Sequence, residues 1–204
     1  MYKTLLFVAA AVALALAADE EDVKRAIVRL DGDGVSGNVT FTRQEDGKIR
    51  ISGTVLGMAP GMYGFHIHEK GDITNGCAST LSHFNPNGND HGHPEDENRH
   101  VGDLGNIEFD QTRTANVDFV DHQIKLNGRH NIIGRGLVLH AAADDFGRTD
   151  HPDSKKTGNA GGRVACGVIG ILDSSPPKAS AASTSTASVL IAVTFYTFIA
   201  ALMH

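Results

Sequence analysis

The chain has 204 residues, a formal net charge of -6 and 41% apolar residues, enough for one core-forming domain with segments at its ends. Its 18 basic residues are outnumbered by 24 acidic ones and form no cluster, which excludes a nucleic-acid binder on charge. Glycine is abundant at 23 residues, Trp is absent, and 11 histidines stand out, most of them between His66 and His151.

Residues 1–18 carry Lys3, an apolar run from Leu5 to Leu16, and small residues at Ala15 and Ala17. That order predicts a secretory signal peptide, cleaved near Ala17 or Ala18. Residues 19–173 read as the folded domain. Within it, alternating runs predict strands at Val23 to Leu30, Val39 to Arg43, Lys48 to Leu56, Met62 to His68, Asn106 to Phe109, Ala115 to Val120, Leu137 to His140 and Val164 to Ile171. Asp-Gly pairs between runs are hairpin signals. About eight short strands without helical periodicity predict an all-β fold, an antiparallel Greek-key barrel or sandwich.

Two segments resist this pattern. Gly71 to Gly102 and Ala141 to Gly162 are long and polar, and loops of that length in a compact domain are usually functional or disordered. Beyond the domain, residues 174–188 form a spacer rich in Ser, Ala, Thr and Pro, and residues 189–204 form an apolar tail. Small residues, a polar spacer and a terminal apolar stretch predict a GPI-attachment signal, which would hold the mature protein at the outer cell surface. In an oxidising compartment the chain's two cysteines, Cys77 and Cys166, are expected to form one intramolecular disulfide. The triplet Asn38-Val39-Thr40 is a sequon for N-glycosylation.

The histidines carry the chemistry. His66 and His68 are two apart on a predicted strand and so point to one face, as two imidazoles that chelate one metal must. His83, His91 and His100 share one loop, with Asp103 just after. Three imidazoles and a carboxylate make a closed tetrahedral set that suits zinc. His140 ends another strand and, with His66, His68 and a shared His83, could complete an all-nitrogen set suited to copper(II).

The runs GFHIHEKGD from Gly64, SHFNP from Ser82, RHVGDLGN from Arg99, IIGRGLVLHAAADD from Ile132 and KTGNAGGRVACGVIGI from Lys156 resemble the Cu/Zn superoxide dismutase family, here in a secreted form. The resemblance spans about Val23 to Leu172. It implies an eight-stranded Greek-key barrel with two long functional loops and an enzyme that turns superoxide into dioxygen and hydrogen peroxide by a Cu(II)/Cu(I) cycle. It implies copper on His66, His68, His83 and His140, and zinc on His83, His91, His100 and Asp103, with His83 bridging the two. Carried over in the same way, Asp144 would orient His66 and His91 through their other ring nitrogens, Cys77 and Cys166 would form the family disulfide, and Arg163 would attract and orient the anion. His83 would also deliver a proton to the product. His93 is expected to be a solvated loop residue and His130 to make a structural hydrogen bond. Lys155, Lys156 and Arg148 share the second loop with Arg163 and are expected to help draw the substrate in. A homodimer is expected, packed through apolar surface that includes Ile73, Ile132 and Ile171. Two rivals are a copper store on the same fold, which does not need Arg163, and an immunoglobulin-like adhesion module, which does not explain the histidines.

Overall fold

A computed structural model describes residues 22–175. The signal peptide, most of the spacer and the apolar tail lie outside the described residues. Ten strands follow in order: β1 (Asp22–Gly32), β2 (Val35–Arg43), β3 (Ile49–Leu56), β4 (Gly61–His68), β5 (Thr74–Cys77), β6 (Asp103–Phe109), β7 (Thr114–Asp121), β8 (Gly136–His140), β9 (Arg163–Val168) and β10 (Gly170–Ser175). One helical turn, α1 (Ser154–Thr157), lies in the second long loop.

Nine of these strands form one antiparallel sheet in the order β6-β4-β8-β9-β1-β2-β3-β7, with β10 on β1. Strands β6 and β7 also lie side by side, so the sheet rolls into a nearly closed barrel. The Greek-key step is visible in β3, which pairs with β7 rather than with β4, its neighbour in sequence. Alternation decides the inside: Ile49, Ile51 and Val55 of β3 are buried while Arg50, Thr54 and Leu56 face out. The core gathers Leu30, Phe41, Ile51, Phe65, Ile67, Phe109 and Leu137.

Strands β4 and β8 break the alternation, and this break makes the site. From Gly64 to His68 and from Gly136 to His140 every residue is buried. Phe65, Ile67, Leu137 and Leu139 fill the core, while His66, His68 and His140, which alternate with them, take the opposite face. A sheet face is buried on both sides only when something covers its outside, and here the cover is the two long loops.

The structure differs from the sequence expectations in particulars. The run expected as one strand from Val164 to Ile171 is two. At Ile169 the chain leaves the β8 ladder, exchanges backbone bonds with Gly134 and Arg135, and continues on β1 as β10. The first loop contains β5, and the second contains α1, neither of which its polar composition predicted. Ile132, expected on an apolar surface, is 0% exposed. Its amide donates to Lys125 O and its side chain joins the core. Ile73 and Ile171 are 45% and 46% exposed.

Cys77 of β5 and Cys166 of β9 are disulfide-bonded, 89 residues apart in sequence. Closing a loop of that length restricts the unfolded chain far more than the folded one. Replacing both cysteines with Ser should lower the unfolding free energy by about 4 to 5 kcal/mol on the chain-entropy account. Urea unfolding at constant metal load checks this, and an unchanged midpoint would contradict it.

Candidate metal centre

The backbone ladder brings the site residues together. His66 is opposite Asp103 across β4–β6, His68 forms a bridge with His83, and His140 is opposite Arg163 across β8–β9. Both ladders slip register at a histidine, between Gly64 and His66 and between Leu139 and His140. Such bulges re-aim a side chain. The first loop is laid onto β4 by bonds from Ile67 N–H to Gly102 O, Phe84 N–H to Ile67 O and Gly102 N–H to Phe84 O. A Cβ at Gly102 would lie 2.1 Å from Ile67 O, so only glycine permits that contact.

Two groups of buried side chains result. His66, His68, His83 and His140 form one, and His83, His91, His100 and Asp103 the other, with the ligand-type atoms of each within 4.8 Å of one another. His83 belongs to both. Its Nδ1 lies 2.8 Å from Asp103 Oδ1, and its Nε2 faces the first group, buried and without a hydrogen-bond partner. In the second group, Nδ1 of His91 and of His100 lies 2.9 and 3.0 Å from the same Asp103 oxygen. Asp103 Oδ2 is taken by the amides of Gly92 and His100, which leaves Oδ1 to the rings.

The outer nitrogens of the rings are held. His68 Nδ1 donates to Leu81 O at 2.7 Å and His140 Nδ1 to Gly161 O at 3.1 Å. Each thereby presents a bare Nε2 inward, and these two nitrogens face each other at 3.3 Å. Asp144 accepts from Nε2 of His66 at 2.9 Å and from Nε2 of His91 at 2.8 Å, so one carboxylate orients a ring in each group. Asn106 on β6 grips the Asp144 backbone from both sides, accepting its N–H and donating to its carbonyl. Gly158 packs where a Cβ would fall 1.9 Å from Asp144 Oδ1; its φ of 64° is itself glycine territory.

Protonation follows from burial and partners. Burial, then the neighbouring His83, pushes His66 down to about 3. Burial pushes His140 down to about 4 and His68 further still. These rings are neutral near neutral pH, the state a metal ligand needs. Burial opposes charge on His91 too, but bonds to Asp103 and Asp144 outweigh it and raise His91 to about 9. The same contacts hold both carboxyls below the usual range despite burial.

Metal ions fit this chemistry. Buried ring nitrogens normally find a partner, yet His66 Nδ1 and His83 Nε2 have none. One set offers four imidazole nitrogens and the other three with a carboxylate, matching the preferences of copper and zinc. At the mouth, Arg163 donates to Cys77 O at 2.7 Å, Ala78 O at 3.0 Å and Thr80 Oγ1 at 3.2 Å, and also to Leu81 O. It lines an open cavity of about 450 Å³ with Cys77, Ala78, Gly161 and Gly162.

Other residues sort themselves by contact. His93 is half-buried against the Phe146 ring, 4.6 Å between centroids, and joins neither group. His130 donates to Gln123 O. Arg148 lies 3.4 Å from Asp96 and Lys156 3.7 Å from Asp153, which offsets part of their charge. Motif reading missed Arg99, which is fully buried. It donates to the carbonyls of Pro94, His100, Val101 and Asp103 and is paired with Asp121. Asp121 in turn accepts the amides of Gln123 and Ile124.

The fold and site define the class, an antiparallel barrel with two adjacent buried groups of metal-ligating type that share one imidazole. The chain belongs to the copper/zinc superoxide dismutase family, whose model matches residues 35–169. It is an oxidoreductase of that class, with superoxide as substrate and copper and zinc as cofactors. It is similar to the clock protein EA4 in its crystal structure, at 61% identity over 74% of this chain and 96% of that one, with a TM-score of 0.73.

Removing Asp121 leaves the Arg99 guanidinium buried without its counter-charge. Asp121→Ala should destabilise the protein by about 3 to 5 kcal/mol in denaturant titration, and a change under 1 kcal/mol would refute the role given to the pair. The metal-free protein should also show a stability maximum near pH 6.5, the unfolded value of histidine. His91 titrates higher when folded, so its contribution is complete below 6.5 and lost as pH rises through about 9. His66 and His140 titrate lower when folded, so the unfolded chain takes up protons first and stability falls as pH drops from 6.5 towards about 4. Denaturation midpoints from pH 4 to 9 test both limbs.

Proposed function

We propose that His66, His68, His83 and His140 hold the copper of this dismutase, that His83, His91, His100 and Asp103 hold its zinc, and that the enzyme removes superoxide outside the cell. The observation that carries the ligand assignment is His83, whose two nitrogens face two different buried donor sets. When bound, copper supplies a one-electron redox couple and zinc a fixed positive charge beside it. The residues do the rest. Arg163 attracts and orients the anion with a charge that does not titrate away. His83 Nε2 is the atom suited to hold a proton for the peroxide product. Asp144 keeps His66 and His91 in one tautomer. Arg163, held at the open cavity by neutral acceptors and facing no carboxylate, favours catalysis over copper storage.

The extracellular role rests on the signal-peptide and GPI-signal patterns of the two ends, which would anchor the protein by lipid at the outer membrane surface. A homodimer is supported by the exposed apolar side chains Ile73, Val168 and Ile171, with Ile132 removed from that surface.

Metal content and dismutation activity measured on one sample test the assignment. About one copper and one zinc per chain with peroxide-forming turnover is expected; no metal after reconstitution would overturn it. Arg163→Glu should cut kcat/KM on the order of tenfold or more, since each unit of charge near the path is worth about 1 kcal/mol even in water-like surroundings. Both metals should stay bound and the salt dependence should weaken. An equal fall in metal content would instead give Arg163 a structural role.

A further inference from the structure

We propose that the ring pair His93–Phe146 is a latch between the two long loops that sets the rate at which zinc leaves its site. The proposal rests on the assignment of His83, His91, His100 and Asp103 to zinc.

All four of those side chains are buried, so an ion held among them escapes only when part of the cover moves. His91 is the member where the two loops meet. Its amide donates to Lys155 O at 2.9 Å. A Cβ at Gly147 would fall 2.5 Å from His91 O, so the second loop lies directly on this residue. Beside that contact is an open hollow of about 370 Å³, whose lining includes Asp90, His91, Gly92, Asp96, Phe146 and Arg148. The hollow brings solvent up to the His91 segment, and Phe146 is one of its walls.

The Phe146 ring meets His93 edge to face, with centroids 4.6 Å apart and planes at 67°. Each ring is fixed to the site at its base. The Phe146 amide donates at 2.7 Å to Asp144 Oδ1, the atom that also accepts from His91 Nε2. The His93 amide donates to Asp96 Oδ2 at 2.9 Å, and the Glu95 amide donates to His93 Nδ1 at 3.1 Å, which holds the imidazole in one orientation. A circuit results. It runs from His91 to Asp144, on to Phe146, across to His93, and back along the chain through Gly92.

Phe146 holds a φ of 62°. A bulky residue there is an outlier, and such strain persists only where the surroundings impose it. The turn from Asp144 to Arg148 is made by backbone amides bonding to Asp144 and Asp145, and none of those bonds uses a ring. The ring's own contacts are His93 and the Gly105 backbone, where a Cβ would lie 3.5 Å from its edge. Parting the rings breaks the circuit on its outer side. The segment that carries Asp144 can then lift from His91 towards the hollow.

The enzyme loaded with copper and zinc, mixed with an excess of a chromophoric zinc chelator, tests the latch. His93→Ala and Phe146→Ala should each speed zinc release about two- to tenfold, as expected for the loss of one aromatic contact. Alanine keeps a β-carbon at the same positive φ, so Phe146→Ala isolates the ring. His93→Phe and Phe146→Tyr should restore slow release. The double alanine variant should be no faster than the quicker single one, and copper release should not change. Wild-type release rates in both single variants, or effects that simply add, would overturn the latch and leave the zinc ligands intact. Zinc retained as tightly in Asp103→Ala would overturn the ligand assignment and this proposal with it.

Discussion

Bare nitrogen lone pairs face one another inside this protein, out of reach of water, and the rest of the structure is arranged around that fact. His68 and His140 present Nε2 to Nε2 at 3.3 Å, while Nδ1 of His83 and of His100, also 3.3 Å apart, converge on Asp103 Oδ1. Burial of unpaired polar atoms costs free energy wherever it occurs. A barrel of this size would not gather six imidazoles there unless positive charge came to sit among them. Asp103 and Asp144 carry the opposite sign, and their contacts with the rings hold them ionised. In the metal-free protein the two carboxylates are met by His91, which they raise to about 9, while burial keeps His66 and His140 neutral.

Holding such a cluster requires loops that do not move, and each loop is fixed at several unrelated points. The first is laid on β4 by backbone bonds, tied to β9 by the disulfide, and filled from inside by Arg99, which satisfies three of its carbonyls and that of Asp103 at the start of β6. The second is fixed through Asp144, gripped by Asn106 and approached closely by Gly158. Asp144 also couples the two loops through His91 and the barrel through His66. Arg163 repeats the device at the mouth, where its donors go to the carbonyls of residues 77, 78 and 81. Leu81 O accepts from both Arg163 and His68, so the proposed anion-binding cation and a proposed copper ligand share one fixed point.

Much of this was legible in the chain, and the boundary follows the range of the interactions. Period two located β1 to β4 and β6 to β8 because each strand reports its own alternation. The pair His66 and His68 could be read as sharing a face because strand geometry alone decides it. Ile169 was not recognisable as a break, since the change of partner from β8 to β1 is decided by bonds to Gly134 and Arg135, far off in sequence. Ile132 followed the same logic: next to Ile133 in an apolar run, it carries no local mark of which residue turns inward. Arg99 was passed over because a buried arginine is recognised by the carbonyls around it, and those converge only once the loop has folded. Asp121 has the same difficulty, lying at the end of an ordinary strand.

Charge raises the last question, because a protein of net charge -6 works on an anion. Net charge counts every residue equally, whereas the substrate feels what lies within about a Debye length, roughly 8 to 10 Å in physiological salt. Arg148 and Lys156 contribute little there, each facing a carboxylate of its own. Asp103 and Asp144 contribute little repulsion, because their charge is taken up by the imidazoles bonded to them. What remains at the open cavity is Arg163, whose hydrogen bonds go to neutral carbonyl and hydroxyl groups and to no carboxylate. A guanidinium held by dipoles keeps its full charge for the substrate, while one held by an acid does not. The fold thus anchors Arg163, the cation proposed to receive the substrate, without neutralising it.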